Sequence, residues 1–509
     1  MTLDEIVRRN ALRFPAKPAL LTDTGVRTWA ELDARVNRLA RALRRRGLER
    51  GDRVAILLGN CAEYFEVYFG CARAGLIAVP LNYRLTVDEM TQILRQAEPR
   101  MMVMGVGDDE KSRILEGRIT SLRDRSVVGA SNADGYEATL NGASAEPLAP
   151  EASDSDPFAI FFTSGTTGLP KGAMVAHRNL EANAFNQFVA DGSRADDVNL
   201  VGTPIYHMGA VFMAVTYMML GCTQVILPQF SAASWLRALE RHRASVALLV
   251  PTMINALLNE PSLAAHDLSS LRLIFYGGGP MPQAVLERAL GAFRCGFTQG
   301  YGLTETLEAT FLVTVDHVLN GTEAQRRRLS SAGREAVGAD VRIVDEAGRD
   351  VGVNVVGEIL VRSRSVIRGY WRQPELTAEA LRGDWFCTGD LGYLDEDRYL
   401  FVVDRKSDMV VTGGVNVYTK EVEAVLYRHG GVRETAVFGI PDDNWGEMLV
   451  AAVAARDGVI LSESELIDFC RDKLAGFKRP KRVILMPELP KNASGKILKR
   501  ELKTQVSGR

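Results

Sequence analysis

The chain of 509 residues has almost no net charge and no long uninterrupted run of apolar residues. A formal charge of −2 argues against a nucleic-acid-binding protein that relies on overall charge. The most apolar window, residues 209–227, is interrupted by Gly221, Thr223 and Gln224, so it predicts a buried helix followed by a strand rather than a membrane span. Charges occur throughout the first fifteen residues, so we expect no secretory signal there.

Cysteines are few and scattered. Their spacing matches neither a zinc site nor a small disulfide-linked domain. We therefore expect a reducing, cytoplasmic location, with at most peripheral contact to a membrane; a homodimer is compatible with these features. The six are Cys61, Cys71, Cys222, Cys295, Cys387 and Cys470.

Strand-like and helix-like segments alternate in the first part of the chain. Residues 52–58, 76–81 and 100–104 are predicted strands, and residues 61–74 and 87–97 between them are predicted helices. This alternation is typical of layered α/β sheets. A chain of this length also exceeds one ordinary hydrophobic core, so two or more domains are expected.

The predicted secondary structure changes in the later segments. Residues 141–157 are small, acidic and proline-bearing, which predicts a surface linker, and alternation then resumes. From about residue 332 short strands with hairpin turns predict a small barrel-like subdomain, and after Asp404 a compact α+β pattern follows. The predicted fold is therefore α/β: a large N-terminal domain of layered sheets plus that subdomain, and a small α+β C-terminal domain.

One segment, residues 161–173, is rich in glycine, hydroxyl groups and lysine: FFTSGTTGLPKGA. It lacks the spacing of the common nucleotide-binding loop, although its glycines allow backbone N–H groups to approach an anion. A solvated turn is the alternative. The candidate phosphate-binding residues are Thr163, Ser164, Gly165, Thr166, Thr167, Gly168 and Lys171.

Three further motifs carry candidate ligand-binding groups. The run GGGP at residues 277–280 can lie against a flat base, although alone it is only a turn. In QGYGLTE, Tyr301 can stack on a base, Thr304 can donate to a phosphate oxygen and Glu305 can bind Mg²⁺. In WFCTGD, Asp390 can accept hydrogen bonds from two ribose hydroxyls.

In their order along the chain, these motifs resemble the adenylate-forming superfamily, which includes acyl-CoA synthetases, aryl-CoA ligases, firefly luciferase and the adenylation domains of peptide synthetases. The stretches that carry the resemblance are TSGTTGLPKG, YGLTE, TGD, the segment from DRKSD to GGVNVY, and SGK. The resemblance implies two half-reactions. A carboxylate attacks the α-phosphorus of ATP to give an acyl-adenylate and pyrophosphate, and a thiol then displaces AMP. ATP, Mg²⁺ and coenzyme A as co-substrate are implied with it.

Residue roles follow from the same resemblance. Lys496 matches the catalytic lysine, Thr304 the α-phosphate contact and Glu305 the Mg²⁺ ligand. Asp390 and Arg405 match the ribose contacts, and the segment from Thr163 to Lys171 is implied to bind the β- and γ-phosphates. The remaining ATP-binding candidates are Gly277, Gly278, Gly279, Pro280 and Tyr301.

The resemblance also implies domains at 1–403 and 405–509, with Asp404 as the hinge between them. The C-terminal domain is expected to rotate between the half-reactions and to bring first Lys496 and then the GGVNVY loop to the reacting groups. Val415 and Thr419 depart from the usual pattern, in which an acidic or aromatic residue and a proline are more common at these positions. The candidate CoA-binding residues are Gly413, Gly414 and Lys478.

Several acceptors and acids stay open at this point. Coenzyme A is favoured as the acceptor because no carrier domain follows the C-terminal domain, and a carrier protein in trans is the alternative acceptor. A luciferase-type enzyme and a purely regulatory nucleotide-binding protein are two further alternatives for the function. Residues 205–212 match the acyl-pocket stretch, and His207, Val211 and Leu307 are its candidates. The stretch contains no aspartate to pair with an amino group, so we expect an apolar acid: fatty, aromatic or polycyclic.

Overall fold

The computed structural model describes residues 1–148, 152–163, 170–279, 281–442, 444–491 and 497–507. Strands and helices alternate through these residues, as the sequence predicts. The strands are β1 (Pro18–Thr22), β2 (Gly25–Thr28), β3 (Arg53–Leu57), β4 (Ile77–Pro80), β5 (Met101–Gly105), β6 (Asp124–Val128), β7 (Pro157–Thr163), β8 (Lys171–Ala176), β9 (Val198–Val201), β10 (Thr223–Ile226), β11 (Val246–Leu249), β12 (Leu273–Gly277), β13 (Gly296–Leu303), β14 (Leu307–Leu312), β15 (Arg334–Glu335), β16 (Ala339–Val344), β17 (Gly357–Ser363), β18 (Leu381–Arg382), β19 (Trp385–Leu394), β20 (Leu400–Arg405), β21 (Val410–Thr412), β22 (Val415–Val417), β23 (Val432–Asp442), β24 (Gly446–Ala455) and β25 (Arg482–Leu485).

Several helices begin where the sequence supplies capping groups. Thr28 with Glu31 forms a capping box at one helix start, and Thr86 with Glu89 forms another, so each pair satisfies N–H groups that the helix leaves open. The helices are α1 (Asp4–Arg13), α2 (Trp29–Arg45), α3 (Ala62–Arg73), α4 (Val87–Ala97), α5 (Asp109–Arg118), α6 (Tyr136–Leu140), α7 (His177–Asp191), α8 (Met208–Met219), α9 (Ala232–His242), α10 (Pro251–Leu258), α11 (Gln283–Phe293), α12 (Glu323–Arg328), α13 (Pro374–Ala380), α14 (Thr419–Leu426), α15 (Glu463–Phe469) and α16 (Lys499–Ser507).

The most apolar window of the sequence forms α8 followed by β10, as predicted. Nearly every residue of α8 is buried. Over the described part of the chain, no helix combines the length and the apolar character that a membrane crossing requires.

Contacts between Cα atoms divide the chain into two compact units. Unit 1 contains Met1–Val341 and Leu360–Cys387, and unit 2 contains Arg342–Ile359 and Thr388–Arg509. The chain therefore enters unit 2 briefly, returns to unit 1 and enters unit 2 again. The boundary at residue 403 and the hinge at Asp404 stay predictions.

Unit 1 is built on two large, mainly parallel sheets. One has nine strands in the order β15-β14-β13-β12-β11-β9-β10-β1-β2, and the other has six in the order β6-β5-β3-β4-β7-β8. In the nine-stranded sheet, the neighbouring strands β13, β12, β11, β9, β10 and β1 are parallel. In the six-stranded sheet, β6, β5, β3, β4 and β7 are parallel. The expected α/β class is confirmed.

Alternating side chains on these strands face different helical layers. Val246 and Leu248 of β11 belong to the core shared by both sheets with α2, α3, α7 and α8, whereas Ala247 faces a second core with α9, α10 and α11. Helices α4 and α5 cover the outer face of the six-stranded sheet. Successive side chains of a strand face opposite sides of the sheet, and helices cover both sides. The buried strands are therefore apolar on both faces.

A five-stranded sheet with the order β16-β17-β19-β18, and with β20 paired to β19, forms the half-barrel that the hairpin pattern predicts. The C-terminal part of unit 2 is an α+β arrangement, in which the sheet β22-β21-β24-β23, extended by β25, carries α14 and α15 on one face and α16 on the other.

Candidate active site

The predicted phosphate-binding segment connects the antiparallel strands β7 and β8 of unit 1. Thr163 at the end of β7 pairs with Lys171 at the start of β8, so the two ends of the segment are held side by side. The predicted residues between them, Ser164, Gly165, Thr166, Thr167 and Gly168, lie outside the described residues.

Tyr370 connects this hairpin with the YGLTE motif. Its backbone forms a β-bridge with Ala173 of β8, and its ring centroid lies 5.6 Å from Nζ of Lys171. Its hydroxyl donates to Oε1 of Glu305 at 2.9 Å, and both side chains are buried. Burial and the neighbouring Glu305 raise the pKa of Tyr370, so the hydroxyl stays protonated and keeps donating. One ring thus lies between the lysine and the carboxylate that the sequence predicts.

Thr304 and Glu305 lie in the tight turn between β13 and β14. Leu303 pairs with Leu307 across this turn, and the Leu303 N–H donates to Oγ1 of Thr306 at 2.9 Å. Leu307 has a φ of 51°, which is unusual for a leucine and marks a constrained turn. A side chain at Gly302 would collide with the Leu307 carbonyl oxygen, so only glycine fits at this position of YGLTE.

The GGGP motif continues from β12 next to the same strand. Gly277 pairs with Gly300 of β13, and a Cβ on Gly277 would lie 2.7 Å from the Gly300 carbonyl oxygen. Gly278 has a φ of 75° and Gly279 is exposed, whereas Pro280 lies outside the described residues. These residues follow the carboxyl end of a parallel strand, which is where open α/β sheets bind ligands.

Two of the three acyl-pocket candidates lie in the core between the two large sheets. Val211 of α8 and Leu307 of β14 are almost fully buried and belong to the same apolar cluster. His207 precedes α8, and its buried Nε2 has no hydrogen-bond partner in the described structure. Burial, with a smaller contribution from the charge of Arg84, lowers the pKa of His207 to about 4, so the ring is neutral at pH 7.

Two residues in this region were missed by the sequence analysis. Tyr370 lies 65 positions from its partner Glu305, so no local motif connects them. Glu308 is the single charged residue of β14, LEATFL. A lone charged residue in an otherwise apolar, buried strand is the sequence feature that could have identified it.

The ribose candidates of unit 2 lie on the paired strands β19 and β20. Asp390 is directly opposite Arg405, and its Oδ1 is 3.1 Å from the guanidinium Nε. Asp390 is buried, whereas the Arg405 side chain is 38% exposed. The two candidates are therefore an ion pair with one accessible member.

Asp404 is fully buried and connects β20 with the start of α14. Its Oδ2 accepts hydrogen bonds from both the N–H and the hydroxyl of Thr419, and its Oδ1 accepts from the Arg405 N–H at 2.8 Å. Lys499 donates to the Thr419 hydroxyl at 2.7 Å. A proline in place of Thr419 would lack both donors.

The CoA candidates also lie in unit 2. Gly413 and Gly414, with φ of 58° and 77°, form the two-residue turn of the β21–β22 hairpin, a conformation that favours glycine. Nζ of Lys478 is 2.8 Å from each carboxylate oxygen of Glu421. Lys496 lies outside the described residues.

Comparison with known proteins gives matches along the whole chain. The family model for AMP-binding enzymes matches residues 7–371, and the model for the C-terminal domain of these enzymes matches residues 421–496. A fatty acid–[acyl-carrier-protein] ligase of Streptomyces coeruleorubidus is 36% identical over 100% of this chain and 97% of its own length. A feruloyl-CoA synthase of an Amycolatopsis species is 37% identical over 97% of both chains. The ATP-bound crystal structure of MatB from Rhodopseudomonas palustris superimposes with a TM-score of 0.89 at 31% identity, over 99% of each chain.

Proposed function

This chain belongs to the AMP-binding enzyme family, in the acyl-CoA ligase branch of the adenylate-forming superfamily, and on that premise we propose that it joins an apolar carboxylic acid to coenzyme A with conversion of ATP to AMP and pyrophosphate. The acid is fatty, aromatic or polycyclic. The observation that carries the proposal is the contact of Tyr370 with both Lys171 and Glu305, because it joins the predicted phosphate-binding hairpin to the predicted Mg²⁺ ligand.

In the first half-reaction a carboxylate oxygen of the acid attacks the α-phosphorus of ATP. The bond from that phosphorus to the oxygen shared with the β-phosphorus breaks, and pyrophosphate leaves. Lys171 and the hydroxyl groups of its segment offset the charge of the β- and γ-phosphates, while Thr304 donates to an α-phosphate oxygen. Lys496 is assigned to the position between the attacking carboxylate and the phosphoryl oxygens, where repulsion between the two anions is greatest.

The residues present fit a magnesium ion. Magnesium usually binds through one or two carboxylates together with substrate phosphates, so a single carboxylate such as Glu305 is enough. Among the residues described, no group of three acidic, histidine or cysteine side chains forms a self-contained metal site. When bound, the ion offsets phosphate charge and favours the departure of pyrophosphate. The Tyr370 hydroxyl fixes the orientation of the Glu305 carboxylate for this role.

In the second half-reaction the thiol sulfur attacks the acyl carbonyl carbon, and the bond from that carbon to the phosphate oxygen breaks. AMP leaves with the electrons of this bond, and the thiol proton passes to solvent. We assign Asp390 and Arg405 to the ribose, and Gly413, Gly414 and Lys478 to coenzyme A. The domain from residue 405 onward turns about Asp404 between the steps. The salt bridge between Lys478 and Glu421 implies that this lysine must exchange a carboxylate for a phosphate when coenzyme A binds.

A carrier protein in place of coenzyme A is the second candidate, because the relative from Streptomyces coeruleorubidus is a fatty acid–[acyl-carrier-protein] ligase. A screen that measures pyrophosphate release and acyl-thioester formation over a panel of fatty, aromatic and polycyclic acids tests both. Each acid is assayed alone, with coenzyme A and with a phosphopantetheinylated carrier protein. We expect acyl-CoA to form in the second mixture. Acyl transfer only to the carrier would favour the second candidate, and no pyrophosphate release with any acid would contradict acid activation itself.

A further inference from the structure

Glu308 has a buried carboxyl group that the proposed mechanism does not use. The residue is 9% exposed, and its Oε2 is buried without a hydrogen-bond partner in the described structure. Burial alone raises the pKa of the carboxyl to about 8. Because native structures satisfy most of their buried polar atoms, an unsatisfied carboxyl oxygen calls for a physical explanation.

Asn183 of α7 lies against Glu308 and has an unsatisfied group of its own. Its Oδ1 accepts a hydrogen bond from the Glu308 N–H at 3.0 Å, which fixes the orientation of the amide because only the oxygen can accept. Its Nδ2, with two N–H groups, is buried and has no partner within the described residues. The asparagine thus holds the backbone of Glu308, while its own N–H₂ group has no partner among the described residues.

The carboxyl lies next to the candidate acyl pocket. A Cβ added to Gly300 would collide with the Glu308 carboxyl, and it would lie 2.6 Å from Cζ of Phe275, so the glycine makes room for the carboxyl beside this ring. The Phe275 ring packs edge-on against Phe212 of α8, with centroids 5.7 Å apart. Phe212 directly follows the pocket candidate Val211, and Leu307 directly precedes Glu308 in β14.

A carboxyl oxygen and an amide N–H₂ that both lack partners make complementary demands on a ligand. An alkyl or unsubstituted aryl group would bury both without satisfying either, and each unsatisfied group keeps its desolvation penalty. An ammonium group could satisfy only the carboxyl, since it has no acceptor. A hydroxyl group can donate to or accept from the Glu308 carboxyl and can accept from Nδ2 of Asn183, so one small group is able to satisfy both.

We propose that Glu308 and Asn183 form a specificity site for a hydroxyl group on the acyl part of the acid, so that the preferred substrate is an apolar acid hydroxylated away from its carboxylate. The inference rests on the proposed function, since it assigns a substrate class to the same reaction. Glu308 is therefore a substrate-binding residue, and Gly300 is what allows its carboxyl to occupy this position.

The experiment compares matched acids on the native enzyme. Octanoic, decanoic and dodecanoic acids are each assayed for pyrophosphate release beside their ω-hydroxy and ω-amino derivatives, and cinnamic acid beside its para-hydroxy derivative. We expect kcat/KM for the hydroxy acid to exceed that of its parent by at least about tenfold in one series, because a site that hydrogen-bonds a hydroxyl rejects the analogue without it. Equal values in every pair would overturn the proposal, and so would a preference for the amino acids.

Variants at position 308 separate recognition from packing. Glu308→Met keeps the volume and removes the polarity, so the hydroxyl preference should fall below about twofold while the parent acid improves. Glu308→Gln keeps a hydrogen-bonding group and should retain a preference for the hydroxy acid. A preference that survives Glu308→Met unchanged would contradict the assignment. Calorimetric binding of each acid pair to the native enzyme without ATP gives a readout that is independent of turnover and of variant folding, and equal affinity within every pair would again refute the site.

Discussion

Glu308 should make the stability of unit 1 depend on pH in a direction opposite to that of an ordinary paired carboxylate. The folded state keeps the proton up to a pH of about 8, whereas the unfolded chain releases it near 4.5. Between these values the folded state binds more protons, so the free energy of unfolding must fall as the pH rises. The stabilisation is complete below pH 4.5 and is lost as the pH approaches 8.

The size of this effect follows from the two pKa values. A tenfold change in an equilibrium constant corresponds to about 1.4 kcal/mol, so the full penalty above pH 8 is about 5 kcal/mol, of which about 3 kcal/mol develops between pH 5.5 and 9. The Glu308→Gln side chain cannot ionise, so this variant does not lose this folding free energy at high pH. We therefore expect this variant to gain about 3 kcal/mol relative to the native protein over that range.

Urea unfolding at several pH values measures the difference, because other titrating groups act equally on both proteins and cancel. Glu323→Gln, at an exposed position of α12, is the matched control and should track the native protein at every pH. A constant difference between Glu308→Gln and the native protein from pH 5.5 to 9 would refute the reasoning. It would mean that the carboxyl is ionised in the folded state across this range.

Three further predictions concern the proposed catalytic groups. Lys496→Ala should slow acyl-adenylate formation by ~10²–10³-fold and leave thioester formation from a preformed adenylate largely intact, as measured by single turnover; equal loss in both steps would reassign the lysine. Glu305→Gln should raise the Mg²⁺ concentration needed for half-maximal rate without lowering the melting temperature, and an unchanged Mg²⁺ titration would remove Glu305 from the metal site. Asp404→Pro fixes φ near −65° and should preserve adenylation while CoA-dependent turnover falls steeply. Asp404→Ala removes the same carboxylate from the start of α14 without fixing φ, so equal kinetics in the two variants would argue against a hinge.

The secondary structure was largely predictable because it depends on local periodicity. The window 209–227 forms a helix and then a strand, and the apolar run before the glycine-rich segment forms β7. The division into units was not predictable in the same way. Residues 342–359 group with unit 2 although they precede the return of the chain to unit 1, and this depends on contacts between distant segments that no local pattern encodes.

In the candidate site, too, some features were predictable from the sequence and others depend on tertiary contacts. Gly302 and Gly277 occupy positions where a side chain would meet backbone atoms, so the glycines of two motifs report a steric requirement that the sequence displays directly. Tyr370 could not be predicted, because its role comes from a hydrogen bond to a residue 65 positions away. The burial of Asp404 is likewise a tertiary effect: its two partners at Thr419 lie 15 positions further along the chain.

Glu305 and Glu308 show why residue type alone could not assign these roles. The two carboxyl groups are three positions apart, and each is about nine-tenths buried. Glu305 receives the hydroxyl of Tyr370, which orients it as an acceptor suited to a cation. Oε2 of Glu308 has no such donor among the described residues and lies close to the Phe275 ring, and burial favours the protonated form of the carboxyl. Similar side chains thus differ in their hydrogen-bonding partners because their surroundings differ. The proposed function, which brings metal-associated phosphate and an apolar acid next to each other, would use both environments.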